Sequence, residues 1–403
     1  MDIRSKAVHS GDRKRPGDPS PKRRDFTPST TPIHLSSTYF YPNAETIDKI
    51  FGNEDQGYTY CRFDNPTVAA LEEQVTALEN GAGTVACASG MAALHLAIHS
   101  ALMERPKTIL CAMQIFGPTI KMLNKLLLPY GITTHILPDI CDLPLIARLL
   151  AEHRPGALIM ETVSNPTLRV GAMDQIAALC RDANCALIVD NTFATPLVCR
   201  PIELGASFSV HSATKYMAGH GDVMGGLCTY DAAHETITRQ VAKMYGPLLG
   251  PLEAYLTMRG IKTMPLRVER QCQNAAKVAA WLRQDPRIER VLFTDDPAHP
   301  DRATIDRLLP AGLQGAIVSA ALRGADKQKV FRFMDSLRMA VPGTSLGDVH
   351  TLVLYPLIAS HRDLTPEQRG SLGITDNLVR FSIGIESADD IIADLDQALS
   401  QIQ

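Results

Sequence analysis

A chain of 403 residues has room for one or two domains with substantial cores, and 45% hydrophobic against 21% charged residues is a globular balance that excludes a disordered segment. With 40 Lys and Arg against 43 Asp and Glu, the formal net charge of −3 is too near neutral for a nucleic-acid binder. No run of about 18 uncharged apolar residues is present to span a bilayer. Met1–Lys6 lacks the apolar core of a secretion signal. The nine cysteines form no Cys-x-x-Cys pair, which suits reduced thiols in a cytoplasm and predicts neither a disulfide framework nor a metal site.

Residues 11–32 are rich in Pro, Arg, Lys, Asp and Ser, with basic clusters at Arg13-Lys14-Arg15 and Lys22-Arg23-Arg24. A solvated arm, an arm laid against another subunit and a patch for an anionic partner all fit that composition. Pro66–Asn80 carries apolar residues at Val68, Leu71, Val75 and Leu78, a helical spacing, and Gly81 follows as a C-terminal cap. Thr84–Ala88 reads as a buried strand, and Ser89-Gly90 opens a helix through Met91–Leu102. Further strands are expected at Thr108–Ala112, Thr133–Leu137, Ala157–Met160, Ala186–Val189 and Ser207–Val210, with helical spacing between most of them. This alternation predicts an α/β fold, a mostly parallel sheet between helices. The pattern loosens over Thr257–Arg270. A helical run from Gln273 to Leu282 then begins a smaller α+β domain, which closes on an amphipathic helix over Asp389–Ile402.

In open α/β sheets ligands bind outside the carboxyl ends of the strands. Those ends here are Glu161 leading to Asn165, Asp190-Asn191-Thr192, His211-Ser212-Ala213-Thr214-Lys215, and Ser89-Gly90-Met91. Each has an ordinary alternative: Ser89 as a helix cap, Asp190 as a cap or a buried ion-pair member, Lys215 as a surface lysine. No Gly-x-Gly-x-x-Gly follows a strand and no Gly-x-x-x-x-Gly-Lys-Ser/Thr is present, so dinucleotide and P-loop sites are disfavoured. Pyridoxal phosphate accounts for all the pieces together: it needs a Schiff-base lysine (Lys215), an acidic partner for its ring nitrogen (Asp190), and hydroxyl and helix-start donors for its phosphate.

Tyr60-Cys61-Arg62-Phe63-Asp64-Asn65-Pro66-Thr67, Ser89-Gly90-Met91-Ala92-Ala93, Asp190-Asn191-Thr192-Phe193, His211–Tyr216 with Gly219–Asp222, Ser345-Leu346-Gly347 and Arg380–Glu386 occur in order along nearly the whole chain. In this the sequence resembles the cystathionine γ-synthase family of Cys/Met-metabolism enzymes, which includes γ-lyases and O-acylhomoserine sulfhydrylases. The resemblance implies an aspartate-aminotransferase-like arrangement. Residues 1–64 would form an N-terminal arm and inter-subunit segment, 65–258 the pyridoxal-phosphate domain and 259–403 the C-terminal α+β domain. It also implies that Lys215 carries the cofactor, that Asp190, beside Thr192, pairs with the pyridine nitrogen, and that Ser212, Thr214 and the backbone of Gly90 and Met91 hold the phosphate. Tyr60 and Arg62 would reach the phosphate in a neighbouring subunit, within a dimer of dimers. Arg380, Ser345 and Asn165 would clamp the substrate carboxylate.

Two positions depart from the family. Its ring-stacking tyrosine is Phe116 here, which keeps the aromatic face and lacks the hydroxyl. General-acid help of that kind is typically worth about 10²–10⁴-fold in rate, so its loss points to a substrate with a good γ-leaving group: O-acetyl- or O-succinylhomoserine, or S-adenosylmethionine. His350 stands where relatives commonly carry glutamate, so no permanent negative charge awaits a distal ammonium. The expected reaction is γ-replacement or γ-elimination through a vinylglycine-type intermediate. The alternatives are a C–S lyase acting on methionine or cystathionine, and a non-catalytic binding protein of the same fold.

Overall fold

The computed structural model describes residues 1–10, 28–359, 362 and 365–402, so the two basic clusters lie outside the described residues. Seven strands form the larger sheet: β1 (Gly83–Cys87), β2 (Thr108–Ala112), β3 (Thr133–Leu137), β4 (Ala157–Glu161), β5 (Ala186–Asp190), β6 (Phe208–Ser212) and β7 (Gly226–Tyr230). Their order is β1-β7-β6-β5-β4-β2-β3. Strands β3, β2, β4, β5 and β6 run parallel, while β7 is antiparallel to both neighbours, β1 and β6. Side chains alternate across the sheet. Leu158, Met160, Leu187 and Val189 pack on one side with the helix Pro66–Glu79, and Ile159, Ile188, Phe208 and Val210 pack on the other with the helix Gly90–Leu102. Both faces are dry, which is why these strands read as short continuous apolar runs.

Strand β7 is absent from the sequence reading. Gly226-Leu227-Cys228-Thr229-Tyr230 follows a glycine-rich stretch and shows no polar alternation, because all five residues are buried. A Cβ at Gly226 would stand 2.0 Å from the Ser89 carbonyl oxygen, so the glycine lets this strand approach the start of the 90–102 helix.

The loosened segment 257–270 is helical. It lies within one 34-residue helix, Pro251–Gln284, with Pro265 inside it. Residues 258 and 259, where the sequence suggests a domain boundary, both lie within this helix, which runs continuously from the first core to the second. Its apolar stripe is blurred because it is buried on more than one side: Met258, Ile261, Met264 and Val268 join the first core, and Ala275, Val278 and Leu282 the second.

The second sheet has five strands in the order β10-β11-β12-β9-β8: β8 (Ile288–Leu292), β9 (Ile317–Leu322), β10 (Val341–Pro342), β11 (Leu352–Leu354) and β12 (Leu378–Ser382). All its pairings are antiparallel except β10 with β11. The last helix, Ala388–Leu399, lays Ile391, Leu395 and Leu399 on this core. Asp394 on that helix accepts backbone N–H bonds from Arg338 (2.8 Å), Met339 (2.9 Å) and Ala340 (2.8 Å). Burial alone would raise its pKa, but these donors and Gln397 more than offset that and hold the carboxyl below its ordinary value. A depressed folded pKa gives stability that is present above the unfolded pKa and lost as pH falls. Asp394→Ala should therefore cost on the order of 2 kcal/mol at pH 7 by orphaning three amides, of which that of Ala340 is buried. That gap should narrow below about pH 4; denaturation midpoints equal to wild type at pH 7 would contradict it.

Candidate active site

Glu161, Asp190 and Ser212 terminate β4, β5 and β6 on one edge of the larger sheet. They face a cavity of about 1040 Å³, whose walls also include Gly90, Met91, Phe116, Asn165, Thr192, Thr214, Lys215 and Arg380. Ser345 joins through its hydroxyl, which accepts from Lys215 Nζ at 3.1 Å. Tyr60, Arg62 and His350 do not line it. Tyr60 is 41% exposed. Arg62 stacks on the Tyr60 and Phe63 rings at 5.6 and 4.7 Å and donates to the Lys243 carbonyl. His350 is exposed and lies 3.1 Å from Asp348.

Neither cation of the cavity, the buried Arg380 nor the half-buried Lys215, has a carboxylate partner among the described residues. Arg380 Nη1 donates to Asn165 Oδ1 at 3.2 Å and Nη2 to the Ser345 carbonyl at 2.9 Å, while its buried Nε has no acceptor. Burial lowers the guanidinium pKa to about 10. Lys215 is also pushed below its ordinary value, first by burial and then by the nearby Arg380 charge. On the acidic side, Asp190 accepts from the Thr192 backbone at 3.0 Å and its hydroxyl at 2.5 Å, yet burial still raises its pKa. Thr192 Oγ1 in turn accepts from the Ser212 N–H at 2.9 Å, tying β5 to the turn that carries Lys215. Glu161, its oxygens accepting from the Phe116 N–H (2.7 Å) and the Asn165 N–H (3.2 Å), is raised well above the usual range by burial and then by Asp190.

Two supports lie behind this edge. Glu79, fully buried at the end of its helix, accepts from Ser209 (3.0 Å) and Asn191 (3.3 Å) and contacts His211. Arg267, on the long helix, donates to the carbonyls of Tyr216 (2.8 Å) and Met217 (3.1 Å), immediately after Lys215.

The sequence pattern of the family described as Cys/Met metabolism PLP-dependent enzyme matches residues 8–400. The chain belongs to that family. It is 35% identical over 374 residues to an L-methionine gamma-lyase of Fusobacterium nucleatum subsp. polymorphum, covering 92% of this chain and 93% of that one. It is 34% identical over 372 residues to an O-succinylhomoserine sulfhydrylase of Pseudomonas aeruginosa, covering 92% and 90%. A cystathionine gamma synthase from Xanthomonas oryzae pv. oryzae superposes with a TM-score of 0.89 at 32% identity, over 100% of this chain and 98% of that one. This protein is accordingly a pyridoxal-phosphate-dependent enzyme of Cys/Met metabolism, with the α/β fold of its relatives.

The cavity fits the cofactor this family uses. The helix Gly90–Leu102 starts at its wall with Ser89 as cap, and the amides of Gly90 and Met91 belong to a first turn, which has no helical acceptors. A Cβ at Gly90 would meet Ser212 Cβ at 2.8 Å and Cα at 2.9 Å, so only glycine lets that helix start lie against β6. Glu79 and Arg267 are the supports the sequence did not reveal. Glu79 sits in an expected helix and could have been noticed as an acid beside its apolar face; Arg267 had no signal. Gly90→Ala should weaken pyridoxal phosphate binding on the order of tenfold or more with unchanged circular dichroism, read by absorbance of retained cofactor after dialysis. Unchanged retention would show that this contact does not shape the phosphate cradle.

Proposed function

We propose that the enzyme carries out γ-replacement, or γ-elimination, on a homoserine derivative whose γ-substituent leaves easily: an O-acetyl or O-succinyl ester, or the sulfonium of S-adenosylmethionine. Phe116 carries this reading. Among the described residues lining the cavity there is no tyrosine and no histidine, so no phenol or imidazole of the chain stands ready to protonate a departing thiolate. A carboxylate or neutral thioether leaving group needs little such help.

Bound pyridoxal phosphate supplies an electron sink that acidifies the carbon-bound hydrogens of an amino acid. Lys215 is the attachment residue and the proton carrier. Its lowered pKa favours the neutral amine such a role requires, and its bond to Ser345 orients Nζ. Asp190 holds the protonated ring nitrogen; since burial raises its pKa, an adjacent positive charge is what lets it ionise in the interior. Thr192 positions that carboxylate. Ser212, Thr214 and the amides of Gly90 and Met91 receive the phosphate, and Phe116 stacks on the ring. Arg380, with Asn165 and Ser345 setting its plane, takes the substrate carboxylate in two parallel bonds.

Tyr60 and Arg62, outside this chain's own cavity, serve the site of a second copy. The exposed apolar arm supports such an assembly: Phe40 is 98% and Leu35 76% exposed, a surface that a second subunit would cover. A dimer of dimers is the arrangement we infer. The nine unpaired cysteines favour a reducing compartment, the cytoplasm. His350, exposed and 3.1 Å from the Asp348 carboxylate, lies outside the cavity and does not bear on the choice of substrate in this chain.

Purified holoenzyme should turn over the acyl or sulfonium donors with sulfide or cysteine and leave methionine and cystathionine nearly untouched, followed by mass spectrometry. Phe116→Tyr should raise thiol release from methionine by about tenfold or more. Rapid 2-oxobutanoate formation from methionine by the wild type would overturn the reading.

A further inference from the structure

Behind the cavity edge, where the larger sheet meets the helix Pro66–Glu79, lies a closed polar cluster that the chemistry above leaves unused. Its centre is Glu79, the last residue of that helix, fully buried. Glu79 Oε1 accepts from Ser209 Oγ at 3.0 Å, from Asn191 Nδ2 at 3.3 Å and from His211 Nε2, while Oε2 has no partner among the described residues. Asn191 is fixed in this orientation, because its amide also donates to the Cys199 carbonyl at 2.8 Å and accepts from the Thr162 hydroxyl at 2.7 Å. Three donors on one oxygen are what an ionised carboxylate gathers. A buried carboxylate needs a counter-charge, and among the described residues His211 is the one basic group bonded to it. His211 is itself buried, and it follows Val210, the register partner of Asp190 on the neighbouring strand.

We propose that Glu79 is a positioning residue for the cofactor's ring nitrogen: it holds a proton on His211 Nε2, and the resulting imidazolium keeps Asp190 ionised. The inference rests on Asp190 as the ring-nitrogen partner, proposed above, and is independent of the leaving group. Asp190 stands on β5 between two groups of opposite effect. Its register partner on β4, Glu161, is a second buried carboxyl, and the two work against each other's charge: Asp190 is one reason the Glu161 pKa is high. On β6, a charge at His211 draws the Asp190 carboxyl down against the effect of burial. Thr192 adds two hydrogen bonds to Asp190 and no charge. The Glu79–His211 pair is neutral as a whole, with its positive member on the strand beside Asp190 and its negative member on the helix beyond. A neighbouring opposite charge typically moves a carboxyl by about one pKa unit or more, about tenfold in its ionised fraction. With the imidazolium in place, the proton of the ring–carboxylate contact lies on nitrogen. Without it, that proton moves towards the Asp190 oxygen, and the ring loses strength as an electron sink.

The test reads the ring nitrogen itself, by nitrogen-15 NMR of holoenzyme reconstituted with pyridoxal phosphate labelled at that atom. Glu79→Gln keeps the shape and an acceptor for Ser209 and removes the charge, and His211→Asn removes the imidazole. In each variant the ratio of protonated to neutral ring nitrogen should fall about tenfold, with circular dichroism unchanged. The double variant should match His211→Asn within about twofold, since Glu79 acts through His211. Histidine labelling of the wild type should show an imidazolium signal that both single variants lose. A ring nitrogen that is neutral in the wild type overturns the proposal without any variant. So does one that stays as protonated in Glu79→Gln and His211→Asn as in the wild type. Asp190→Asn separates the two readings. If it alone neutralises the nitrogen, Glu79 and His211 are only structural supports and the Asp190 assignment stands. If it too leaves the nitrogen protonated, the Asp190 assignment falls and this inference with it.

Discussion

Everything at this site depends on two neighbouring cations, Arg380 and Lys215, that have no carboxylate counter-ion among the described residues. Arg380 is 2% exposed and is held by an amide oxygen and a backbone carbonyl, not by a carboxylate. Lys215 shares its cavity, and each charge makes the other less comfortable. An unpaired buried charge is expensive, and the fold retains one at Arg380 beside a lysine whose charged form both burial and Arg380 disfavour. In the proposed reading, incoming anions relieve that cost: a phosphate near the helix start and a carboxylate at Arg380. The surrounding architecture works to keep these groups in place while they wait. Thr192 links β5 to β6, Arg267 grips the carbonyls just beyond Lys215, and Ser345 bonds the lysine through its hydroxyl and the arginine through its carbonyl.

That dependence also explains why one helix joins the two cores. Lys215 follows β6 of the larger sheet, and Arg380 lies on β12 of the smaller one. Their separation must be fixed for a substrate bound between them to meet both. Pro251–Gln284 packs into both cores and carries Arg267 to the lysine turn, so it couples the two halves of the site mechanically.

Much of this was legible in the sequence because the larger sheet is mostly parallel and covered on both faces. Short apolar runs such as Ala157–Met160 and Ala186–Val189 can be little else in such a fold, and the polar residues that end them fall by construction on one edge. What stayed hidden has physical causes. Strand β7 lies in glycine-rich chain and is buried throughout, so it has no period. The long helix loses its stripe where it touches two cores. Glu79 and Arg267 are buried polar groups whose partners, His211 and the Tyr216 and Met217 carbonyls, lie far away in sequence. Tyr60 and Arg62 were assigned to a neighbouring subunit's site by the family resemblance alone, and within a single chain they lie away from its own cavity.

The central claim, that Lys215 carries the cofactor in a cavity holding two other lysines, Lys121 and Lys125, is tested most directly by borohydride reduction of the holoenzyme followed by peptide mass mapping. The account predicts a phosphopyridoxyl mass on the peptide containing Lys215 and on no other. An adduct on Lys121 or Lys125 instead, or no adduct from a holoenzyme that absorbs as an imine, would contradict it.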